Sequence, residues 1–312
     1  MKAAQFSKYG GPEVIEFNSN ALLPKLADGQ VLVEAHAASI NTIDSILRAG
    51  YMQSMVPLSF PATIAGDFAG VVKEVSPGLS NLRVGDEVFG FAPVIAGGSG
   101  SAAEYVAVSA SKVAQKPARA SYTEAAALPL AGVSAVQALE EMKLRPGQRV
   151  LIHGGAGGVG SFALQYARYL GCHVATTVRG SQKEFVRKLD ADAIVDFEAE
   201  EFDAAHNEYD AVLDTVGGEV YKRSFITLKK GGIVASMVQN SPDQELMLKF
   251  GVRAVYITTQ VNTSSLNHIA ELVDKGAIKT QIAREFPLEQ TRDAYTYFEQ
   301  DHPKGKICLK IR

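Results

Sequence analysis

The stretch VLIHGGAGGVGSFALQYARYLG, from Val150 to Gly171, places a glycine-rich turn between an apolar run and a helix-like pattern. Gly155, Gly157 and Gly160 match the spacing G-x-G-x-x-G. In a strand–turn–helix unit, the first glycine permits a tight turn, the second lets a pyrophosphate approach the backbone, and the third lets the helix pack closely on the strand. Each glycine costs roughly 0.5–1 kcal/mol relative to alanine within an element. We therefore expect ligand binding to offset this cost.

The helix after the turn is predicted to direct its N-terminal end at a phosphate. A helix N-terminus carries unpaired N–H groups and a partial positive charge, and both attract anions. The sequence therefore predicts that Gly155, Gly157, Gly158, Val159 and Gly160 bind the pyrophosphate of a dinucleotide cofactor. The alternative is a tight strand–helix turn that binds no ligand.

The residues about twenty positions beyond the first glycines favour NADPH over NADH. An NAD site places Asp or Glu at the end of the second strand, where the carboxylate binds the ribose hydroxyls. Here Arg179 holds that position, and Ser181 and Lys183 follow it. Arg179 and Lys183 could pair with a 2′-phosphate, which a carboxylate would repel. The alternatives are that the two cations form a solvated basic turn and that Ser181 caps only the next helix.

Strand and helix patterns alternate after residue 121. The strands are rich in Val and Ile, and they are predicted at 149–154, 172–178, 193–196, 210–216, 232–238 and 253–258. Helix-length segments separate most of them, which is typical of an α/β domain with a doubly wound parallel sheet. Val216, Ser236 and Met237 follow the fourth and fifth of these strands, and we expect them to line a nicotinamide pocket.

The two ends of the chain are predicted to form another domain. Residues 1–118 show short apolar runs between turn signals, a pattern of strands, with one helix predicted at 41–50. The chain closes on a strand pattern, KGKICLKIR, and a terminal strand needs a partner sheet. We therefore predict a discontinuous domain of residues 1–118 and 260–312 around an inserted domain of residues 119–259.

Composition excludes several classes of function. The net charge is −3 with both signs well mixed, so neither nucleic acid nor an anionic membrane is an expected partner. The apolar runs are shorter than the roughly 20 residues that span a bilayer. The N-terminal stretch MKAAQFSKYGGPEV lacks the apolar core of a signal peptide, so we expect a cytoplasmic protein. Cys172, Cys308 and the six histidines show no clustered spacing, so we expect reduced thiols and no metal site.

Several motifs together resemble one enzyme superfamily over almost the full length. They are MKAAQFSKYGGPEV, SINTIDSILRAGY, FPATIAGDFAGVV, VGDEVFGF, AEYV, AALPLAGVSAVQAL, the glycine motif, DAVLDTVGG and GKICLKIR. With these motifs the chain resembles the medium-chain dehydrogenases/reductases, and more narrowly their zinc-free quinone oxidoreductase branch, which includes ζ-crystallin.

The resemblance implies a fold and an assembly. It implies a Rossmann NADPH-binding domain and a GroES-like, partly open β-barrel catalytic domain, with the active site in the cleft. It also implies a homodimer or homotetramer. Zinc members carry a Cys near Asn41 and Gly-His-Glu where this chain has Gly66, Asp67 and Phe68. Because these ligands are absent, the resemblance implies no metal and no oxidation through a metal-bound alkoxide.

The resemblance also assigns catalytic candidates. Asn41 resembles the family's active-site asparagine, whose amide can hydrogen-bond a carbonyl; the alternative is a helix N-cap. Asp44 matches a recurrent aspartate, and an ion pair with Arg48 at i+4 is expected. The alternative for Asp44 is that a carboxylate near the start of the helix serves only the helix dipole. Ile46 stands where quinone reductases often have a tyrosine, and Tyr51 is the nearest phenol that could replace it.

A further cofactor candidate lies in the last strand. Lys306 is expected to approach the cofactor or to be a solvated strand-end lysine. These residues lead us to expect hydride transfer from NADPH to a quinone or an α,β-unsaturated carbonyl without zinc. The alternatives are an enone/alkenal reductase with little quinone activity and a non-catalytic NADPH-binding protein.

Overall fold

A computed structural model describes residues 1–204 and 208–312 of the chain; residues 205–207, including His206, lie outside the described residues. The strands are β1 (Ala3–Phe6), β2 (Glu16–Asn18), β3 (Gln30–Ser39), β4 (Ala62–Thr63), β5 (Asp67–Val75), β6 (Glu87–Phe91), β7 (Tyr105–Ser109), β8 (Val113–Gln115), β9 (Arg149–His153), β10 (His173–Val178), β11 (Ala193–Asp196), β12 (Tyr209–Asp214), β13 (Leu228–Ser236), β14 (Arg253–Tyr256), β15 (Ile282–Pro287) and β16 (Lys306–Lys310). The α-helices are α1 (Thr42–Arg48), α2 (Tyr122–Ala126), α3 (Pro129–Met142), α4 (Gly158–Tyr169), α5 (Lys183–Arg187), α6 (Gly218–Ser224), α7 (Gln244–Phe250), α8 (Thr263–Asp274) and α9 (Thr291–Asp301).

The chain forms two compact units. Unit 1 contains Met1–Val133, Val261–Gly276 and Thr280–Arg312, and unit 2 contains Ser134–Gln260 and Ala277–Lys279. The domain bounds predicted from the sequence, 1–118 and 260–312 around 119–259, rest on changes of sequence pattern. They stay a prediction.

Unit 2 is built on a parallel sheet with the strand order β11-β10-β9-β12-β13-β14 in its described residues. Counted along its own strands, this order is 3-2-1-4-5-6, the doubly wound arrangement. The predicted doubly wound parallel sheet is therefore confirmed. Ligands of such sheets bind beyond the carboxyl ends of the strands, where the order reverses. The reversal lies between β9 and β12, and the glycine-rich turn directly follows β9.

The strands of unit 2 share an apolar core. Leu151, Val212 and Val234 are fully buried and belong to one apolar cluster across three neighbouring strands. Parallel strands that are covered on both faces need continuous apolar runs, which the Val- and Ile-rich pattern supplies.

Unit 1 contains two sheets in its described residues. The larger one has the order β15-β16-β3-β5-β6-β8, with β7 also paired to β3, and the smaller one has the order β2-β1-β4. The terminal strand β16 pairs antiparallel with β3, so the predicted partner of the last strand is confirmed. The interior of the larger sheet is apolar, with Val33, Phe68 and Val106 fully buried in one cluster.

The helix predicted at 41–50 in unit 1 is confirmed as α1. Helix α1 ends at Arg48, and Gly50 follows at φ 85°, a left-handed conformation that glycine adopts at low cost. In the structure, Ser121 and Glu124 form a capping box at the start of α2. In the ranges 1–204 and 208–312, every helix is too short or too polar to cross a lipid bilayer.

Candidate functional site

The glycine-rich turn links β9 to α4 in unit 2. The backbone N–H of Gly157 donates to the carbonyl of Gly154 at 3.0 Å, and Gly157 is the N-cap residue of α4. The N–H of Ser161 then donates to the carbonyl of Gly157 at 2.9 Å and closes the first helical turn. The predicted strand, turn and helix are therefore all present.

Two of the glycines are required by packing. A Cβ at Gly155 would lie 2.1 Å from Oγ1 of Thr176, and a Cβ at Gly160 would lie 2.2 Å from the carbonyl oxygen of Gly154. A Cβ at Gly157, in contrast, would meet its nearest atom, the carbonyl oxygen of Gly154, only at 3.4 Å. The turn is thus too tight for a side chain at Gly155 and Gly160, whereas Gly157 leaves room for one.

The first turn of α4 fits an anionic ligand. As a glycine, the N-cap residue Gly157 has no side chain with which to cap the helix, and the first turn carries no acidic residue. The first N–H groups of a helix have no acceptor within the helix, and the helix dipole adds positive charge there. The pyrophosphate of a dinucleotide fits these donors, and Gly155, Gly157, Gly158, Val159 and Gly160 would hold it.

The predicted 2′-phosphate residues follow β10 and face acidic side chains. Lys183 Nζ lies 3.2 Å from Asp196 Oδ2, and Arg179 Nε lies 4.0 Å from Glu198 Oε1. Both cations are partly exposed, and Ser181 lies in the 3₁₀ turn before α5. Asp196 is the last residue of β11. The end of β10, which is the second strand of this sheet along the chain, carries no carboxylate, as predicted.

The carboxyl ends of β12 and β13 are joined by hydrogen bonds. Ser236 is fully buried and donates its hydroxyl to Asp214 Oδ2 at 2.6 Å. Asp214 Oδ1 accepts the N–H groups of Val216 at 3.0 Å and Gly217 at 2.8 Å. The N–H of Met237 donates to the carbonyl of Asp214 at 3.0 Å. Of the residues predicted to line the nicotinamide pocket, Val216 is half-exposed. The Ser236 side chain is buried, and its hydroxyl is already hydrogen-bonded to Asp214.

Unit 1 contains a cluster of buried polar side chains around Asn41. The Asn41 Nδ2 donates to Asp67 Oδ2 at 2.8 Å, and its Oδ1 accepts a hydrogen bond from Lys306 Nζ. The Asn41 backbone N–H donates to Asp44 Oδ2 at 2.8 Å. Asn41 is therefore the N-cap residue of α1 by position, while its carboxamide contacts Asp67 and Lys306.

Lys306 is buried in β16 with 3% of its surface exposed, so the alternative of a solvated lysine is wrong. Its ammonium donates to the carbonyl of Ile40 at 2.7 Å and lies 3.8 Å from Asp67 Oδ2. A buried ammonium is tolerated only where acceptors and an opposite charge compensate for lost hydration. Ile40, Asn41 and Asp67 provide this compensation.

Asp67 is fully buried at the start of β5. Its Oδ1 accepts the N–H of Leu130 at 3.0 Å, in the first turn of α3, where a carboxylate is favoured by the helix dipole. Burial nevertheless raises the pKa of Asp67 to about 6, because desolvation outweighs the opposing effects of Lys306, Asn41 and Leu130.

Asp44 is buried beside Tyr295 of α9, whose hydroxyl donates to Asp44 Oδ2 at 3.2 Å. Burial raises the pKa of Asp44 to about 7, and the nearby Asp67 adds to the rise, while the N–H of Asn41 opposes it. The expected ion pair of Asp44 with Arg48 is wrong. Arg48 pairs with Glu299 at 2.9 Å instead, because its guanidinium extends over the Tyr295 ring toward α9.

Tyr51 is 81% exposed in the turn after α1. No hydrogen bond within the described ranges joins it to the cluster around Asn41. Among the described residues, no group of three or more His, Cys, Asp or Glu side chains is arranged to hold a metal ion.

Sequence reasoning missed two functional contacts. Tyr295 is fully buried, and the helical periodicity of α9 marks it only as a core residue. Asp214 is the last residue of β12, within DAVLDTVGG. A carboxylate at the end of an apolar strand is the sequence feature from which this contact could have been predicted.

Comparison with known proteins finds similarity over the whole chain. Residues 27–118 match the family model of the alcohol dehydrogenase GroES-like domain, which confirms the predicted GroES-like domain, and residues 189–309 match that of the zinc-binding dehydrogenase. The mitochondrial NAD(P)H oxidoreductase RTN4IP1 of Mus musculus is 31% identical over 100% of this chain and 89% of its own length. The chloroplastic NADPH-dependent alkenal/one oxidoreductase of Arabidopsis thaliana is 31% identical over 99% of this chain and 79% of its own length. The structure of the quinone oxidoreductase from Coxiella burnetii matches with a TM-score of 0.92 and 33% identity, over 100% of this chain and 99% of that one.

Proposed function

Because the chain belongs to the medium-chain dehydrogenase/reductase superfamily, we propose that it is an NADPH-dependent, zinc-independent reductase of quinones or α,β-unsaturated carbonyls. The observation that carries this proposal is the first turn of α4, whose N-cap Gly157 has no capping side chain and has room for a Cβ at ordinary contact distance. When bound, the nicotinamide supplies the hydride. The protein then has to bind the cofactor, orient the acceptor and polarise its carbonyl.

NADPH is proposed over NADH because β10 ends without a carboxylate and is followed by Arg179 and Lys183. Both side chains are partly exposed, and both can leave their carboxylate partners for a 2′-phosphate of higher charge. The relative from Arabidopsis thaliana is NADPH-dependent by name, which supports this choice.

Asn41 is proposed to donate a hydrogen bond to the acceptor carbonyl, where negative charge develops as hydride arrives. The proposal of zinc independence is supported by the donor set of the cluster, an amide, an ammonium and two carboxylates, because zinc sites combine any carboxylate with thiolate or imidazole ligands, and these four groups include neither. The catalytic roles predicted for Asp44 and Tyr51 belong to the same proposal, and Lys306 contributes to it through its hydrogen bond to Asn41.

An enone/alkenal reductase with little quinone activity is the second candidate. Ile46 is half-buried in α1 at the position where quinone reductases often have a tyrosine. The alkenal/one oxidoreductase relative is consistent with this candidate.

The test is NADPH oxidation by the purified protein with panels of quinones and of enones and alkenals. We expect turnover with NADPH, slower turnover with NADH, and no loss after treatment with a zinc chelator. Preference for one panel distinguishes the two candidates. NADPH binding without turnover of any acceptor would show a non-catalytic binding protein instead.

The assembly is proposed to be a homodimer or homotetramer in the cytoplasm. β14 is an edge strand of the sheet of unit 2, and such an edge can pair with the same edge of a second copy. Light scattering coupled to size exclusion tests the assembly, and a monomer at assay concentration would refute it.

A further inference from the structure

We propose that Lys306 and Asp67 are positioning residues that hold the Asn41 carboxamide in one orientation, with one Nδ2 hydrogen directed to the acceptor carbonyl. This inference rests on the proposed function, because it assumes that Asn41 donates to that carbonyl. Within the described residues, the one hydrogen bond recorded for Asn41 Nδ2 is to Asp67, and an amide nitrogen carries two hydrogens. The second hydrogen is the one assigned to the acceptor.

The orientation follows from the charges at the two ends of the carboxamide. Lys306 Nζ donates to Asn41 Oδ1, and Asp67 Oδ2 accepts from Asn41 Nδ2. A flip of the amide would place its NH₂ group against the ammonium and its oxygen against the carboxylate. Both contacts would be repulsive, and both charged groups are almost fully buried, so solvent would screen them little. One orientation is therefore strongly favoured.

The groups that orient Asn41 are themselves held. Lys306 Nζ also donates to the carbonyl of Ile40, the residue before Asn41. Asp67 accepts the N–H of Leu130 with its other oxygen, and Asp44 accepts the backbone N–H of Asn41. The backbone and the side chain of Asn41 are thus fixed from three directions, as a preorganised hydrogen-bond donor requires.

The Lys306 ammonium also makes the Asn41 amide a stronger hydrogen-bond donor. A cation at Oδ1 draws electron density toward the oxygen and makes the Nδ2–H groups better donors, because hydrogen bonds polarise one another in a medium of low dielectric. Lys306 would therefore stabilise negative charge on the acceptor oxygen through Asn41 without contacting the acceptor.

A purely structural role is the competing explanation, because the Lys306–Asp67 pair also links β16 to β5. A double-mutant cycle on kcat separates the two roles. The four proteins are wild type, Asn41→Ala, Lys306→Met and the double variant. If Lys306 acts through Asn41, Lys306→Met lowers kcat by about 10- to 100-fold alone and by less than about twofold in the Asn41→Ala background. The NADPH dissociation constant stays within about twofold of wild type in each.

Lys310→Met is the matched control, because Lys310 is an exposed lysine of the same strand. It should leave kcat unchanged. If Lys306→Met is too unstable to assay, Lys306→Met/Asp67→Asn removes both buried charges together and should restore folding while kcat stays low. Recovery of kcat in that neutral pair, or multiplicative losses in the cycle, would overturn the proposal.

A measurement on the protein without cofactor gives an independent readout. The Asn41 side-chain amide resonance, assigned by its loss in Asn41→Ala, should shift and exchange faster with solvent in Lys306→Met and stay unchanged in Lys310→Met. An unmoved resonance would overturn the positioning role. Failure of the proposed function is distinct, since then wild type would reduce no acceptor, or Asn41→Ala would keep the wild-type kcat.

Discussion

Asp214 accepts the hydroxyl hydrogen of Ser236 at 2.6 Å, and this contact joins the carboxyl ends of two adjacent parallel strands. The other oxygen of Asp214 accepts the N–H groups of Val216 and Gly217. Ser236 in turn accepts the N–H of Gln239 at 2.9 Å. One buried carboxylate thus fixes two loops at the edge where ligands of doubly wound sheets bind.

We predict that Asp214→Asn destabilises the protein by about 1–3 kcal/mol, because an NH₂ group would then face N–H donors or displace the Ser236 hydroxyl. NADPH binding should weaken as the loops lose their fixed conformation. Urea unfolding and NADPH titration measure the two effects.

The control is Asp190→Asn, an exposed residue at φ 60°, a conformation that Asn also adopts readily. It should change stability by less than about 0.5 kcal/mol. Equal stability of Asp214→Asn and this control would contradict the assigned role of Asp214.

The sequence predicted the parallel sheet well because its strands are short apolar runs bounded by glycines and polar turns. It missed the start of β13, which begins at Leu228 rather than at 232. The segment from Lys229 to Gly232 is polar and includes Gly231 at φ 82°, and the pairing with β12 shifts register there. A bulge of this kind leaves no apolar period from which a strand is recognised.

The second prediction concerns cofactor choice. Lys183→Ala should raise the NADPH dissociation constant by about 10- to 100-fold, the effect of losing one charge-assisted hydrogen bond, and change that of NADH little. Lys188→Ala is the control, because Lys188 is exposed just after α5. Equal losses for NADPH and NADH would contradict a 2′-phosphate contact.

The third prediction uses the ion pair between Lys183 and Asp196. Asp196→Asn frees Lys183 for the cofactor, so NADPH should bind more tightly, by up to about fivefold, the strength of a partly exposed pair. The gain should shrink at high salt, where charge interactions are screened. Weaker NADPH binding by Asp196→Asn would show that Asp196 itself supports the site.

The buried cluster of unit 1 was predictable only in part. Asn41, Asp44 and Lys306 were identified through motifs, yet neither a motif nor a period predicts that residues in α1, β5, β16 and α9 meet. The pair of Asp44 with Arg48 was inferred from i+4 spacing alone, and tertiary packing overrides that spacing because α9 supplies Glu299 and the Tyr295 ring. Long-range contacts of this kind depend on sheet pairing, such as that of β16 with β3.

The fourth prediction is a pH dependence of stability. Burial raises the pKa of Asp44 from 3.8 to about 7, so the folded state binds a proton that the unfolded state releases between these values. The contribution of Asp44 to stability is therefore largest below pH 3.8 and is lost as the pH rises through about 7. Asp44→Asn cannot titrate and keeps an acceptor for Tyr295. The free energy of unfolding, measured from pH 5 to 8, should fall less steeply with pH in this variant than in wild type, and parallel curves would contradict the raised pKa.

The last prediction separates the packing role of one glycine from the binding role of another. A Cβ at Gly157 meets its nearest atom at 3.4 Å, an ordinary contact, and Gly157 has φ −76°, which alanine adopts freely. Gly157→Ala should therefore keep the stability of wild type and still raise the NADPH dissociation constant by about tenfold or more, because the methyl group occupies the approach of the pyrophosphate. Gly160→Ala would place its Cβ 2.2 Å from a carbonyl oxygen and should lose both stability and binding. Thermal unfolding and fluorescence titration of the two variants provide the comparison. Tight NADPH binding by Gly157→Ala would show that the pyrophosphate does not approach the backbone there.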